Sequence, residues 1–410
     1  MSERLEVRRD GVALARLRTV RNKLWVTYSE EVLDTVPAGT PILSCSLPVR
    51  STRTDASAWA RGLLPEGQHL AQLAAVADVA ASDTFGMLAR YGRDIAGAFE
   101  IIAEGDPDDI SIPSYHLYLT EELDTEIAGL ATTPLAIHDD SELSLAGLQD
   151  KMVAVRVGNN WGRPVHGYPS THILKVDPPD RPGIVDAEAA CLRLARAVDL
   201  TNIEVERCRL GDRETLIVSR FDRVELDDGT LRRLHQEDLL QALGVDPSAR
   251  GGRSKYQQAG TPGPPSWWHA ADLIDSHADD ARNQLHQLVR IIAYTTATAN
   301  ADCHAKNIAF LLEDGRIRLA PLYDTVPTAL WPGLRDTAAL TVADVSPMSA
   351  VTVEHISSEA RRWGAPMDDA RGAVIDLLEE LLDAVHVAKH DAVIELVTAN
   401  VRRLLDGAAA

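Results

Sequence analysis

The sequence has few cysteines, no long apolar run and a deficit of positive charge. Its four cysteines are scattered without a C-x-x-C pair, which fits reduced thiols better than disulfides or an ordinary structural zinc site. No apolar run reaches the roughly eighteen residues of a membrane-spanning helix, and the first residues lack the apolar core of a signal peptide. These absences predict a soluble, cytoplasmic protein that does not enter a membrane.

Acidic residues outnumber basic ones by 61 to 41, which gives a formal net charge of -20. Such a chain by itself is poorly suited to bind a phosphate backbone, so any contact with DNA is expected to be indirect, through a basic partner. The length of 410 residues and the hydrophobic content of 45% allow two or three domains with real cores.

The order of sequence patterns predicts three consecutive regions. Residues 1–105 mix strand-like runs with a helical stretch and are expected to form a small α+β subdomain. Residues 106–225 are rich in alternating strands, with one helix from about Val185 to Val198. Residues 226–410 are mainly helical, and an apolar stripe near their end is typical of core packing. We therefore predict an α+β protein with a strand-rich lobe and an all-helical lobe.

The segment "NADCHAKN", residues 300–307, concentrates polar side chains in a stretch that otherwise resembles a buried segment. Asp302 and Asn307 stand five residues apart, and Asp324 follows after a short hairpin-like stretch. Phosphoryl transfer from ATP requires a group that accepts the substrate hydroxyl proton and oxygen ligands for Mg²⁺. Asp302 as the base, with Asn307 and Asp324 as metal ligands, supplies those groups.

A lysine in the strand-rich region strengthens this hypothesis. Lys175 follows apolar alternation in "THILKVD", which predicts that its ammonium group points toward the ligand site. The same residues also fit a purely structural interpretation. Asp302 would then cap a turn, Asn307 would satisfy a backbone group, and Lys175 would be an exposed edge residue.

Several motifs, in order along nearly the whole chain, resemble the HipA family of serine/threonine kinase toxins. The N-terminal motifs are "GLLPEGQHLAQLA" and "DTFGMLARYGRDIAGAFEI". The later motifs are "SLAGLQDKM", "THILKVD", "VSRFDR", "HQEDLLQALG" with "KYQ", "NADCHAKN" and "PLYD". The resemblance implies a two-lobed protein-kinase-like fold: an extra N-terminal subdomain at residues 1–105, a kinase N-lobe at 106–225 and a catalytic C-lobe at 226–410.

The resemblance also implies roles for individual residues. Asp302 would be the catalytic base, and Asn307 and Asp324 would hold Mg²⁺. The backbone of Ser219 to Phe221 would meet the adenine edge at the hinge, and Asp222 would accept from the ribose. The residues expected to bind ATP are Ala146, Gly147, Leu148, Gln149, Asp150, Lys151, Lys175, Ser219, Arg220, Phe221, Asp222, His304, Lys306, Asn307, Tyr323 and Asp324.

The implied phosphate loop, Ala146 to Lys151, contains only one glycine, Gly147. Its backbone N–H groups can still hold a phosphate if the turn exposes them, with Lys151 adding charge. Ser144, just before the loop, resembles the residue that family members autophosphorylate. A phosphate there would carry a charge of about -1.5 to -2 and would repel the ATP phosphates, so autophosphorylation is expected to inactivate the kinase.

The resulting prediction is an ATP- and Mg²⁺-dependent serine/threonine protein kinase that acts as the toxin of a type II toxin–antitoxin module. Family resemblance implies a HipB-like helix-turn-helix antitoxin as partner and an aminoacyl-tRNA synthetase as the first candidate substrate. Two alternatives stay open. One is a degenerate kinase that acts as a non-catalytic corepressor with its antitoxin, and the other is a small-molecule kinase on the same scaffold.

Overall fold

Short strands and helices follow one another along the part of the chain that the computed structural model describes. The described residues are 4–106, 112–130, 150–257, 263–364 and 367–409. The predicted phosphate-loop residues Ala146, Gly147, Leu148 and Gln149 and the predicted phosphorylation site Ser144 lie outside these ranges.

The strands are β1 (Arg4–Arg9), β2 (Val12–Val20), β3 (Lys23–Tyr28), β4 (Thr54–Asp55), β5 (Glu100–Ala103), β6 (Ser114–Leu117), β7 (Lys151–Val157), β8 (Asn160–Val165), β9 (His172–Val176), β10 (Val205–Leu210), β11 (Arg213–Ser219), β12 (Arg223–Glu225), β13 (Leu231–Arg233), β14 (His235–Asp238), β15 (Ala309–Glu313), β16 (Arg316–Leu319), β17 (Thr337–Val342) and β18 (Val345–Pro347). The α-helices are α1 (Glu30–Thr35), α2 (Ser57–Gly62), α3 (Gly67–Val76), α4 (Thr84–Tyr91), α5 (Thr120–Gly129), α6 (Ile184–Ala197), α7 (Leu239–Ala242), α8 (Ala249–Gly252), α9 (Trp267–His277), α10 (Ala281–Ala297), α11 (Val353–Arg362), α12 (Met367–Ala384) and α13 (Asp391–Ala409).

These elements form two compact units. The first unit comprises Met1–Pro178, Cys208–Gly252 and Leu312–Gly315, and the second comprises Pro179–Arg207, Arg253–Leu311 and Arg316–Ala410. The predicted functional boundaries at residues 105 and 225 divide the chain by role rather than by compactness, and they stay predictions. None of the helices in the described ranges has the length and apolar character needed to cross a membrane.

The first unit contains a five-stranded sheet in the order β4-β3-β2-β1-β5. Alternate residues of a strand point to the same face, so Leu5, its partner Leu17 and the next partner Val26 form one inner row. All three are buried in a cluster with residues of helices α2, α3 and α4. The polar residues that alternate with these apolar residues along each strand point to the opposite face of the sheet. A shift of one residue would exchange the two faces, so this pattern fixes the register of the sheet.

The same unit contains a six-stranded sheet in the order β10-β11-β9-β7-β8-β6. Its central strand β7 is buried along most of its length, whereas its alternating sequence predicts a half-buried strand. Met152 and Leu174 pack with helix α5, whereas Val153 and Ile173 pack with the core of the five-stranded sheet. Both faces of strands β7 and β9 are therefore covered within this unit.

Helices dominate the second unit, and its core is built on α10 and α12. The predicted apolar stripe is confirmed as core, because Val374, Leu377, Leu378 and Leu381 are fully buried. The prediction of an all-helical lobe needs correction, since β17 and β18 form an antiparallel pair here. The β-branched and apolar sequence of β17, "TAALTV", favours a buried strand, and its backbone bonds to neighbouring loops.

A buried carboxyl group lies on β14 of the first unit. Glu237 is completely buried, and the backbone N–H of Cys45 donates to its Oε1 at 2.9 Å. Burial raises the pKa of Glu237 to about 7, although hydrogen bonds from Ser44 and Cys45 oppose the increase. This group therefore takes up or releases its proton near neutral pH.

We expect the substitution Glu237→Gln to flatten the dependence of stability on pH. Because the folded-state pKa lies above the unfolded one, Glu237 favours the folded state at low pH, and this contribution is lost as pH rises through about 7. Between about pH 5 and pH 8 the wild type should lose roughly 2 to 3 kcal/mol relative to the variant. Urea unfolding at both pH values checks this, with the exposed Glu31→Gln as control. Parallel pH slopes for wild type and Glu237→Gln would contradict it.

Candidate active site

The polar segment at residues 300–307 forms a tight loop in the second unit, after the end of α10 and before β15. The N–H of His304 donates to the Asp302 carbonyl oxygen, and the N–H of Asn307 donates to the His304 carbonyl oxygen, both at 2.8 Å. The side-chain Nδ2 of Asn307 donates to the Asp302 carbonyl oxygen at 3.0 Å. Main-chain bonds therefore close the loop, and the side chain of Asn307 satisfies one of its backbone carbonyl oxygens.

Asp302 and Asp324 lie close enough for their charges to interact. Burial raises the pKa of Asp302, and the neighbouring Asp324 carboxylate raises it further. The Tyr256 hydroxyl, which donates to Asp302 Oδ1 at 3.1 Å, lowers this pKa, as do Lys255 and Arg335. The structure thus brings together two of the predicted residues, and a raised pKa is a property that suits a carboxylate base.

The segment that carries Asp324 is attached to the same loop. The hydroxyl of Tyr323 donates to the carbonyl oxygen of Lys306 at 2.6 Å. Asp324 itself has a left-handed backbone with φ of 56°, a conformation that aspartate adopts more readily than most residues. This backbone fixes the direction in which the Asp324 side chain leaves the chain.

His304 and Lys306 are both buried beside these carboxylates. Burial lowers the pKa of His304 to about 3, and the charges of Lys255 and Lys306 contribute in the same direction. The imidazole is therefore neutral at physiological pH. Its ring makes an edge contact with the ring of Tyr256, with 5.4 Å between centroids.

The donor set of the second unit fits Mg²⁺. Within the described ranges, no group of three or more His, Cys, Asp or Glu side chains is arranged to hold a metal ion. Mg²⁺ needs no such group, because it is often bound by one or two protein oxygens together with phosphates and water. Asn307 and Asp324 carry hard oxygen donors of that kind, and a cation beside Asp324 would relieve its repulsion of Asp302, but their role as metal ligands stays a prediction.

In the first unit, two lysines lie directly opposite each other on neighbouring strands. Lys151 on β7 pairs with Lys175 on β9, so their side chains share one face of the sheet. Each residue is only 7% exposed. The predicted ATP lysine and the last residue of the predicted phosphate loop are therefore adjacent.

Asp150, which precedes Lys151, is the other described residue of the predicted phosphate loop. Its Oδ1 lies 3.4 Å from Nε2 of His69, a buried residue of α3. This contact connects the end of the predicted loop to the N-terminal part of the first unit. No local sequence signal marks His69 as a neighbour of Asp150, because the two residues are far apart along the chain.

The predicted hinge follows β11. Ser219 pairs with His172 of β9, and the N–H of Arg220 donates to the carbonyl oxygen of Thr171 at 2.9 Å. Ser219 and Phe221 are half-buried, whereas Arg220 is buried. The proposed contact of this backbone with adenine stays a prediction.

Behind the hinge lie two arginines and two aspartates that we call the hinge ion cluster: Asp94, Arg220, Asp222 and Arg223. Arg220 donates to Asp222 through two bonds, Nε to Oδ1 at 2.9 Å and Nη2 to Oδ2 at 2.8 Å. Arg223 Nη2 donates to Asp94 Oδ1 at 2.8 Å. No side chain in the cluster is more than 5% exposed. The cluster joins a motif of the N-terminal region to the hinge motif.

All four members of the hinge ion cluster are charged at neutral pH. Burial alone would raise the pKa of Asp222, but Arg220 and Arg223 hold it well below its usual range, and they act on Asp94 in the same way. The backbone N–H of Gly97 also donates to Asp222 Oδ2 at 2.8 Å. Asp222 thus has a structural role that the sequence did not predict, and its proposed contact with a ribose stays a prediction.

Comparisons with known proteins identify the family. The HipA-like C-terminal domain model matches residues 143–387, and the HipA N-terminal domain model matches residues 5–102. The chain belongs to the HipA family. The family predicted from the sequence motifs is therefore confirmed.

Relatives of this HipA-family chain include named kinases. It is 31% identical over 370 residues to Y4mE of Sinorhizobium fredii, provisionally named a kinase, with 87% of this chain and 85% of the relative covered. It is 27% identical over 323 residues to the serine/threonine-protein kinase toxin HipA of Shewanella oneidensis, with 74% and 70% covered.

A solved structure shows the fold. HipA in a Shewanella oneidensis toxin–antitoxin complex of HipA, HipB and operator DNA superposes with a TM-score of 0.82 at 22% identity, with 98% of this chain and 96% of that chain covered. The predicted fold class, a kinase-like α+β fold, is confirmed by this similarity.

Proposed function

We propose that this protein is an ATP- and Mg²⁺-dependent serine/threonine protein kinase and the toxin of a type II toxin–antitoxin module. The observation that carries the proposal is the loop at residues 300–307. It holds a half-buried carboxylate, Asp302, whose pKa the neighbouring Asp324 raises, and the side-chain amide of Asn307 donates to the carbonyl oxygen of Asp302. Phosphoryl transfer needs this combination of a base and hard-oxygen metal ligands.

In the proposed reaction, Asp302 accepts the proton of a serine or threonine hydroxyl. The hydroxyl oxygen forms its bond to the γ-phosphorus of ATP while the bond to the bridging oxygen breaks, which releases ADP. Asn307 and Asp324 would hold Mg²⁺. Bound Mg²⁺ would neutralise negative charge on the phosphates.

We assign the nucleotide phosphates to Lys151 and Lys175. The pairing of Lys151 with Lys175 places both side chains on one face of β7 and β9, and ammonium groups of this kind bind phosphate through charge-assisted hydrogen bonds. Within the second unit, we assign His304, Lys306 and Tyr323 to ATP binding, as the sequence motifs predict. The backbone of Ser219 to Phe221 would bind adenine, and Asp222 the ribose. The residues Ala146 to Gln149 would add backbone N–H groups to the phosphates.

Incubation of the purified chain with [γ-³²P]ATP tests the proposal. We expect Mg²⁺-dependent incorporation of label that EDTA abolishes. Lys175→Met should weaken nucleotide binding about 10- to 100-fold, because a charged hydrogen bond contributes roughly 1.5 to 3 kcal/mol. Lys23→Met, which removes an exposed lysine of β3, is the matched control. No incorporation by the wild type, or equal nucleotide affinity in Lys175→Met, would contradict the proposal.

Mass-spectrometric mapping of the labelled chain tests the proposed regulation. We propose that Ser144 is autophosphorylated and that the added negative charge repels ATP and inactivates the kinase. Phosphate on Ser144 together with loss of activity would support this step. Phosphate confined to other residues would contradict it without affecting the kinase proposal.

We further propose that the partner is a HipB-like helix-turn-helix antitoxin. The structural neighbour is a complex of HipA with HipB and operator DNA. The net charge of -20 disfavours direct binding of DNA by this chain, so we propose that DNA is contacted through the antitoxin. An aminoacyl-tRNA synthetase is the protein substrate that we propose to test first.

A further inference from the structure

A tyrosine that the proposed reaction does not use lies against the proposed base. The hydroxyl of Tyr256 donates to Asp302 Oδ1 at 3.1 Å. Tyr256 lies in the "KYQ" motif, 46 positions before Asp302 along the chain. Nothing in the local sequence around Asp302 predicts this contact.

The backbone on both sides of Tyr256 is hydrogen-bonded to the structure around Asp302. The N–H of Ala305 donates to the carbonyl oxygen of Lys255 at 3.1 Å, and the N–H of Gln257 donates to the carbonyl oxygen of Ala339 at 2.9 Å. The N–H of Ala339 in turn donates to the carbonyl oxygen of Ala301 at 3.0 Å. The main chain that carries Tyr256 is therefore bonded directly, and through β17, to the loop that carries Asp302.

The ring of Tyr256 is also held from its face and its edge. The guanidinium carbon of Arg335 lies 4.5 Å from the ring centroid, which is a cation–π contact. Arg335 is itself fixed by donation from Nε to the Thr337 carbonyl oxygen at 2.6 Å. His304 makes the edge contact. A rigid support of this kind keeps the hydroxyl aimed at one carboxylate oxygen.

We propose that Tyr256 is a positioning residue for Asp302 and that Arg335 fixes the ring of Tyr256 in place. The proposal rests on the proposed role of Asp302 as the base. With Oδ1 engaged by the tyrosine, Oδ2 is the oxygen that we assign to the substrate hydroxyl. Tyr256 keeps its own proton throughout, and it acts by preventing rotation of the carboxylate away from the geometry that proton transfer requires.

Kinetics of Tyr256→Phe test this role. Without the hydroxyl, the carboxylate is free to rotate, so we expect kcat to fall on the order of 10- to 100-fold while KM for ATP stays unchanged. A merely structural role would lower the melting temperature without this selective effect on kcat. Tyr294→Phe is the matched control, because it removes the hydroxyl of a different, buried tyrosine of the second unit, one that donates to the Cys191 carbonyl oxygen. The control should keep the kcat of the wild type.

Arg335→Gln provides a second variant that keeps the tyrosine hydroxyl. Loss of the nearer of the two cations over the ring, with Lys255 Nζ left at 5.7 Å from the centroid, should lower kcat about threefold, again with unchanged KM for ATP, and Arg335→Lys should restore part of the loss. If Tyr256→Phe fails to fold, wild-type kcat in Arg335→Gln overturns the proposal, and a selective fall in kcat supports it.

The outcomes separate this proposal from the proposed function. A wild-type chain that transfers phosphate, together with a Tyr256→Phe variant whose kcat is within twofold of it, overturns the positioning role alone. A rise in KM for ATP at constant kcat also overturns that role, since Tyr256 would then act in nucleotide binding. A wild-type chain without phosphoryl transfer overturns both proposals.

Discussion

Asp302→Asn is expected to lower the rate of phosphoryl transfer by about 100-fold or more, the usual contribution of a positioned general base. The asparagine amide has nearly the shape of the carboxylate but accepts no proton from the substrate hydroxyl. Nucleotide affinity should change little, because the substitution leaves both proposed phosphate-binding lysines, Lys151 and Lys175, and both proposed metal ligands in place. Single-turnover transfer of label from [γ-³²P]ATP, with ATP binding measured in parallel, gives both quantities.

The stability of the variant distinguishes chemistry from damage to the fold. Burial and the nearby Asp324 raise the pKa of Asp302, so its ionised form is disfavoured in the folded chain. Removal of that charge should therefore leave the melting temperature unchanged or raise it. Asp275→Asn, at an exposed position of α9, is the matched control and should keep full activity. Full activity of Asp302→Asn would remove Asp302 from the proposed chemistry.

Asp94→Asn is expected to destabilise the first unit by about 3 to 5 kcal/mol, the usual cost of removing one partner of a buried ion pair. The hinge ion cluster balances two arginines with two aspartates. Loss of the Asp94 charge leaves Arg223 with a neutral acceptor in place of its 2.8 Å ionic partner and gives the buried cluster an excess positive charge. The effect should be large because the Asp94 and Arg223 side chains are only 3% and 2% exposed.

Urea unfolding at neutral pH measures the loss in Asp94→Asn. The control is Arg282→Gln, which breaks a solvent-exposed ion pair with Asp369 and should cost at most about 1 kcal/mol. The pKa of Asp94 is lowered in the folded chain, so its stabilising contribution is lost as pH falls below the unfolded value. The difference between wild type and variant should therefore shrink in acid. A loss below about 1 kcal/mol at neutral pH would contradict the structural role of the cluster.

Local patterns in the sequence predicted most of the elements that carry the candidate site. The helix predicted from Val185 to Val198 is α6 at Ile184–Ala197, and "THILKVD" contains strand β9. The spacing of Asp302, Asn307 and Asp324 predicted a common site, and the structure brings the charges of Asp302 and Asp324 close together. These predictions depend on hydrophobic period and short spacing, which a sequence displays directly.

Contacts between segments that are distant along the chain could not be predicted from the sequence. Asp94 meets Arg223 across 129 positions, and Tyr256 meets Asp302 across 46. Polar residues of this kind have no periodicity that marks them, and their role depends on which strands become neighbours. The same reason explains Asp222. The family resemblance implies a ligand contact there, whereas its hydrogen-bond and ion-pair partners in the structure include Arg220, Arg223 and Gly97.

A crystal structure with Mn²⁺ in place of Mg²⁺ and a non-hydrolysable ATP analogue tests the proposed site most directly. We predict an anomalous peak for the metal bound by the side-chain oxygens of Asn307 and Asp324, and density for the nucleotide phosphates beside Lys151 and Lys175. Metal or nucleotide bound elsewhere, with these four side chains untouched, would contradict the proposed function.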